Sequence, residues 1–517
     1  MQATRLATLL TCALCWIACV AAGPTGGSRP TAGPASAQRV DLAKRIDANA
    51  VSMALSNVGS FAYDFTAAKA GLEYPRGSQQ TAVFASGLWL SANIGTANRL
   101  AISGYAEEFM AGSAVGGIDD DPSDPVYQVY KLHRTYATAP QRDSALAAWN
   151  AGAVTHGAPP VEVRPDGSLS LTGEQMLWTV YNDLDAGNHQ NPAGHTAPVG
   201  VEVQQTTFAF DRPGAFANTV FMRFKLINRT LFPLSDVRIG FWADPDLGAA
   251  SDDLTGCDPA ANLGYCYNAS TPDSVYGSNP PAIGYDLVQG PSIAGGTRLG
   301  MASFTHFVQG ADPDTSTETR NALHGLNIDS TTIVNPLTAL PTKFQFSGDP
   351  VAGTGWRETL PQDQRMLITA GPVSMAPGDS QEVVIAVILA QGADALGSLA
   401  LLRTYDAEIQ SAWNAGSLPV LGVEATPNVS LALHRTFPNP SRGDLTLSFT
   451  LGADGPATLE VVDVAGRSVL RRDLGGMNAG RHELRVGAGS ARLSAGMYFV
   501  RITQRERNVT GRVVVLP

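Results

Sequence analysis

The sequence predicts a mainly β protein: a large β-rich, sandwich-like body with few helices, followed by a smaller C-terminal β-sandwich. Three observations carry this. Gly 53 and Pro 33 alongside only 16% charged residues point to many turns between short strands, not to long surface helices. The clearest apolar segments alternate at period two, as half-buried strands do. From residue 431 onward, short strands alternate with turn signals at a spacing of about 8–12 residues, which describes a sandwich.

The chain begins with a segment that reads as a signal peptide, residues 1–22. Arg5 supplies the positive end, LATLLTCALCWIACVAA the apolar run, and Val20-Ala21-Ala22 the small residues before a cut. The run is short for a bilayer span, so no transmembrane segment is expected in the mature chain. Residues 23–38 (GPTGGSRPTAGPASAQ) read as a flexible spacer.

Residues 39–416 form the body, one large unit with room for two subdomains. In VFMRFKLIN, Val220, Met222, Phe224 and Leu226 share one face, with Arg223 and Lys225 on the other. In DVRIGFWA, Val237, Ile239, Phe241 and Ala243 oppose Asp236 and Arg238, and the intervening NRTLFPLS reads as a hairpin connection. The phase switch in VEVQQTTFAF, from Val201 and Val203 to Phe208 and Phe210, predicts a bulge. EVVIAVILA predicts a strand covered on both faces. Over 394–414, Leu396, Leu399, Leu402, Ile409 and Trp413 take helical spacing and predict a closing helix. Residues 417–430 are a linker to the tail, 431–517.

Charge divides the same way. The tail carries twelve Arg, no Lys and seven Asp or Glu, a balance of +5 that leaves the rest of the chain at −16. An acidic body repels polyanions, so nucleic acid is not an expected partner.

The tail is the specific part. Pro438-Asn439-Pro440 opens it, and Leu445, Leu447, Phe449 and Leu451 alternate inward. Asp463 with Gly466-Arg467 marks a tight turn. Gly496, Tyr498 and Val500-Arg501 lead to the closing Arg512-Val513-Val514. In this order the pieces resemble the type A C-terminal sorting domain of type IX (Por) secretion substrates, an Ig-like β-sandwich similar to the Ig-like domain of flagellar hook-capping proteins. The resemblance implies recognition by the outer-membrane translocon and its sorting machinery, usually with removal of the tail and sometimes with attachment to surface lipopolysaccharide. It implies a bacterial protein, secreted or held at the outer-membrane surface. The body, through GLEYPRGSQQTAVFASGLWLSA, GEQMLWTVYNDLD, FWADPDLG and GCDPAANLGYCYN, resembles a group of exported bacterial proteins with the same tail. That group supplies context and no catalytic residues.

Chemistry in the body is sparse. There is no HExxH helix and no GxSxG elbow. His189 and His195 share the loop AGNHQNPAGH, which reads first as solvated and second as a metal site. Glu174, Asp183 and Asp185 around Trp178 are the carboxylates a glycosidase would draw on, and Trp89, Trp178, Trp242 and Trp356 the aromatics of a sugar platform. In ADPDLGAASDDLTGCDP, Asp244, Asp246, Asp252 and Asp253 crowd one stretch and point to calcium, the one cofactor class indicated; capping of backbone groups is the competing reading. Asp119, Asp120, Asp121 and Asp124 make a second, weaker acidic turn. Cys257 and Cys266, outside the signal peptide, are expected to pair as a disulfide in an exported protein. The resulting expectation is an exported structural, adhesive or binding protein whose body is non-catalytic, with a secreted hydrolase or carbohydrate-binding protein as the alternative.

Overall fold

A computed structural model describes residues 43–416 and 431–516, apart from 66, 116–117, 294, 438, 443–444, 452–454, 478–479, 487–492 and 506. The segments expected to be a signal peptide and a spacer, the expected 417–430 linker and Pro438 lie outside the described residues. The chain divides into two compact units, one up to residue 418 and one from 419.

The first unit is built on eleven long strands: β1 Ala85–Ile94, β2 Gln175–Asn182, β3 Val201–Ala209, β4 Thr219–Asn228, β5 Leu234–Asp244, β6 Asp253–Asp258, β7 Leu263–Asn268, β8 Ala282–Gln289, β9 Met301–Val308, β10 Gln364–Met375 and β11 Ser380–Ala390. Three α-helices are described, α1 Ala139–Ala148, α2 Ser316–Leu323 and α3 Ala395–Asn414. One sheet runs β9–β10–β5–β1 and continues through short N-terminal strands; the other runs β2–β3–β4–β11–β8–β7–β6. Their inner faces meet in one core, where Phe224 of β4 faces Phe241 of β5 at 5.2 Å between ring centroids.

Alternation in β4 sets this arrangement. Val220, Met222, Phe224 and Leu226 are buried while Lys225 is exposed and Arg223 half-buried, so one face enters the core. β5 sends Val237, Ile239, Phe241 and Ala243 into the same core, with its other face covered as well at Arg238 and Trp242, and its connection to β4 is not a hairpin. β4 pairs with β3 and β11, whereas β5 pairs with β1 and β10. Residues 229–233 therefore carry the chain from one sheet to the other. Both strands carry an apolar face, and placing those faces against each other buries more apolar area than pairing edges would.

The phase switch in β3 is not a bulge. Its register with β2 and β4 is continuous. Val201 and Val203 face the inter-sheet core, while Phe208 packs on Phe210 and stacks on Phe221 at 5.1 Å. The second face is covered too, with Glu202 and Gln204 buried and bonded to each other and Phe208 buried beyond them, so each face can take apolar residues.

α3 closes the unit against β7, β8 and β11. Asp394 caps it, accepting from Gly397 N at 2.7 Å. Leu399, Leu402 and Ile409 are buried, covering the outer face of β11's sheet, whereas Leu396 in the first turn points to solvent at 44% exposure.

The second unit holds a three-stranded sheet (Ala432–Phe437, Leu445–Leu451, Gly480–Val486) and a four-stranded one (Ser468–Met477, Gly455–Asp463, Gly496–Gln504, Arg507–Val515). Leu445, Leu447, Phe449 and Leu451 from the first join Leu459, Val461, Val500, Ile502 and Val513 from the second in one core.

Candidate functional site

β5 ends at Asp244, opposite Ala85 at the start of β1. β10 begins beside it, and Phe307 near the end of β9 lies opposite Arg365 of β10. Four strand ends thus bring Asp244, Asp246, Asp312, Asp363 and Arg365 to one edge of the sheet. Carboxylate oxygens of Asp244, Asp246 and Asp363 lie within 4.8 Å of one another. Arg365 Nη1 is 2.7 Å from Asp244 Oδ1 and also pairs with Asp363, and its Nε is 3.7 Å from Asp312. Tyr105 donates its hydroxyl to the other oxygen of Asp244.

Burial dominates the electrostatics. Asp244 is pushed well above the usual carboxylate range by burial, against the pull of Arg365. Asp246 is raised to about 7, by burial first and by Asp363 second. Its Oδ1 is buried without a hydrogen-bond partner among the described residues. Three carboxylates facing one guanidinium carry an excess of negative charge that a proton on Asp246 or a divalent cation would reduce.

The four aspartates expected to hold calcium do not converge. Asp253 is fully buried and accepts from Leu247 N at 3.1 Å, and Asp252 accepts from Asn268 Nδ2 at 3.2 Å. Both brace the 245–252 segment instead. Asp363, more than 100 positions downstream by residue number, takes their place, and no local pattern in the sequence announces it. In the second acidic turn, Asp121 and Asp124 cap Ser123 N and Val126 N, and Asp120 accepts from the Tyr127 hydroxyl.

Cys257 and Cys266 are separate buried thiols, not the expected bridge. They lie on paired strands β6 and β7, but Cys257 stands opposite Gly264 and Cys266 opposite Thr255. This diagonal separates side chains by about 7–8 Å, beyond disulfide reach without backbone movement. Cys257 Sγ donates to Gln345 O at 3.3 Å.

The glycosidase set is spent on folding. Trp178 is 2% exposed, packed near Tyr130 at 6.3 Å. Asp183 is fully buried and accepts from the backbone N–H groups of Val199, Gly200 and Val201 at 2.6–2.9 Å. Glu174 accepts from Asp211 N and Asp185 from Gly187 N, each at 2.8 Å. His189, expected in a solvated loop, is 1% exposed, its Nε2 2.8 Å from Asp183 O and its Nδ1 3.7 Å from Glu108 Oε2. Burial pushes Glu108 up to about 8. His195 donates its backbone N–H to Glu108 at 3.0 Å.

Of the aromatics, Trp89 and Trp242 stack at 6.0 Å inside the unit, and Trp356 is half-buried against Phe346. A second aromatic group is half-buried and reaches the surface at Tyr105. Tyr63, Phe65, Phe84 and Tyr105 form a continuous contact chain with ring centroids 5.0–6.1 Å apart. Tyr105 is 37% exposed and joins this rim to Asp244.

In the second unit, the motif residues are structural. Asn439 accepts from Val514 N and donates to Arg512 O, tying the opening segment to the last strand. Gly466 sits at φ +78°, where a side chain would be strained, and Asp463 accepts from Arg467 N and Nε. Gly496 starts the strand that buries Tyr498 and Val500, and Tyr498 donates to Ser494 O at 2.9 Å. Arg501 faces Glu460 at 3.7 Å.

Residues 435–516 match the family of secretion system C-terminal sorting domains. The C-terminal unit carries this sorting domain, so the protein is delivered to the cell surface or the extracellular space. No described helix is long and apolar enough to cross a membrane. No curated protein sequence matches the chain. Among solved structures, a bacterial glucoamylase complexed with acarbose is 10% identical over 75% of this chain and 38% of its own, with a TM-score of 0.27. A polysaccharide lyase is 10% identical over 83% and 46%, with a TM-score of 0.21. Dimeric latent PorU from Porphyromonas gingivalis is 12% identical over 67% and 32%, with a TM-score of 0.16. The chain spans less than half the length of each, and similarity this low supports no transfer of activity.

Proposed function

We propose that this chain is a type IX secretion cargo whose body acts outside the cell as a non-catalytic structural, adhesive or binding protein. The sorting-domain match at 435–516 carries the reading. The translocon and its sorting machinery are the partners it implies, with surface lipopolysaccharide as the anchor if the protein stays attached. The non-catalytic part is supported by Asp183, Glu174 and Asp185, whose carboxylates are engaged by backbone N–H groups. The test is to fractionate type IX-competent cells expressing the intact chain and a form ending at residue 430. The intact protein should reach the surface or medium, and the truncated form should stop in the periplasm. Equal export of both would reduce the tail to an ordinary sandwich module.

A second reading, carbohydrate binding, is favoured by the rim of Tyr63, Phe65, Phe84 and Tyr105 beside the Asp244 cluster. Aromatic rings with adjacent polar groups suit the apolar face and hydroxyls of a sugar. Calcium binding belongs to the same edge, with Asp244, Asp246 and Asp363 as the ligands in place of the set expected from sequence. Arg365 limits that site, since it already neutralises part of the charge.

A further inference from the structure

α3 is the last element of the first unit, and it buries an acid. Asp406, 4% exposed on α3, faces Asp286 of β8, which is fully buried. α3 runs along β8, with Ser398 Oγ donating to Pro280 O at 2.6 Å before the pair and Gln410 Nε2 to Val288 O at 3.3 Å beyond it, so Asp406 comes over Asp286. Both oxygens of Asp286 and Oδ1 of Asp406 are buried with no other partner among the described residues. Two carboxylates cannot bond each other, so at least one keeps its proton while the helix is seated.

Among the described residues, the surroundings offer no counter-charge to the pair. From β7, Tyr265 and Tyr267 face α3, and Arg403 of α3 engages Tyr265 and Asp349. From β11, Glu382 turns to Arg223 and Gln289. The short 214–218 turn under α3 carries no ionisable side chain. Asp258, the last residue of β6, adds a further negative charge toward Asp406. On α3 itself, Tyr405 and Glu408 are the remaining titratable groups.

We propose that Asp286 and Asp406 form a proton-sharing latch that fastens the closing helix more tightly in acid than at neutral pH. The more deeply buried Asp286 holds the proton and donates it to Asp406. When α3 lifts away, both carboxyls meet water, return to the ordinary carboxylate range and release their protons. The seated helix therefore binds protons that the lifted helix does not, and raising the pH favours lifting. Burial raises Asp406 to about 7 and, with Asp406 beside it, pushes Asp286 well above the usual carboxylate range, which sets the window between about pH 4 and pH 7 for the first proton.

Hydrogen exchange of residues 395–414 in the full-length protein reads this directly between pH 5 and pH 7. After the intrinsic pH dependence of exchange is removed, the open population of α3 should rise at least about tenfold per pH unit. Global melting is the wrong readout, because Asp246 and Glu108 also titrate near this range. Asp286→Asn with Asp406→Asn, which keeps shape and lets two amides bond, should flatten the pH response of 395–414. Either single asparagine variant should reduce its slope by about one proton. Wild-type exchange in α3 that follows intrinsic rates alone, or a double variant with the wild-type slope, would overturn the proposal.

Discussion

At Asp183, three backbone N–H groups and the neighbourhood of His189 converge on one carboxyl that has no access to water. Burial raises its pKa, while His189 and the N–H groups lower it. Its role is to hold the 199–201 backbone against the end of β2. Asp183→Ala should therefore lower stability by roughly 3 kcal/mol, since buried donors are left unpaired. Urea unfolding of the purified protein checks this, and an unchanged midpoint would reopen a chemical role. Asp246 behaves differently. Its carboxyl is raised to about 7 by burial and by Asp363, so calcium must displace a proton to bind there. The rise in melting temperature with millimolar calcium should be larger at pH 8 than at pH 6, and Asp246→Ala should abolish it. A melting curve indifferent to calcium at pH 8 would leave Arg365 as the sole counter-charge.

At the scale of elements, the segments read best were those whose two faces differ. β4 and β5 kept the faces their alternation indicated, and α3 began within a residue of the expected start. α1 has no buried residue and so gives no periodic signal. α2 carried a readable one, the Thr315–Glu318 capping box. In the C-terminal unit, the segment around Asn439 and the final strand act together, because Asn439 both accepts from and donates to that strand. Asn439→Ala should cost the unit roughly 1–2 kcal/mol. If the sorting machinery reads a folded surface, the variant should also be exported less efficiently in cell fractionation. Full export of a measurably destabilised variant would separate folding from recognition.

Across the whole molecule, the acidic charge lies outside the tail, which is basic. The tail also has a core of its own. A passenger joined to residues 417–517 should therefore cross the outer membrane of a type IX-competent host without any part of the body. Retention of that fusion in the periplasm, with the intact protein exported, would mean that the body contributes to sorting.

Local pattern was enough to establish the mainly β composition, the inward faces of the tail strands and the closing helix, because each depends on residues close together in the chain, whereas the export address came from the resemblance of the whole tail to sorting domains. Period-two alternation decides which side of a strand is buried, and a turn needs only its few residues. Pairing is different. That β4 and β5 belong to opposite sheets, that Cys257 and Cys266 stand diagonally, that Asp363 comes beside Asp244 and Asp246, and that Asp286 meets Asp406 all follow from strand order and register. Those depend on how distant faces bury one another, and alternation says which face is apolar without saying what covers it.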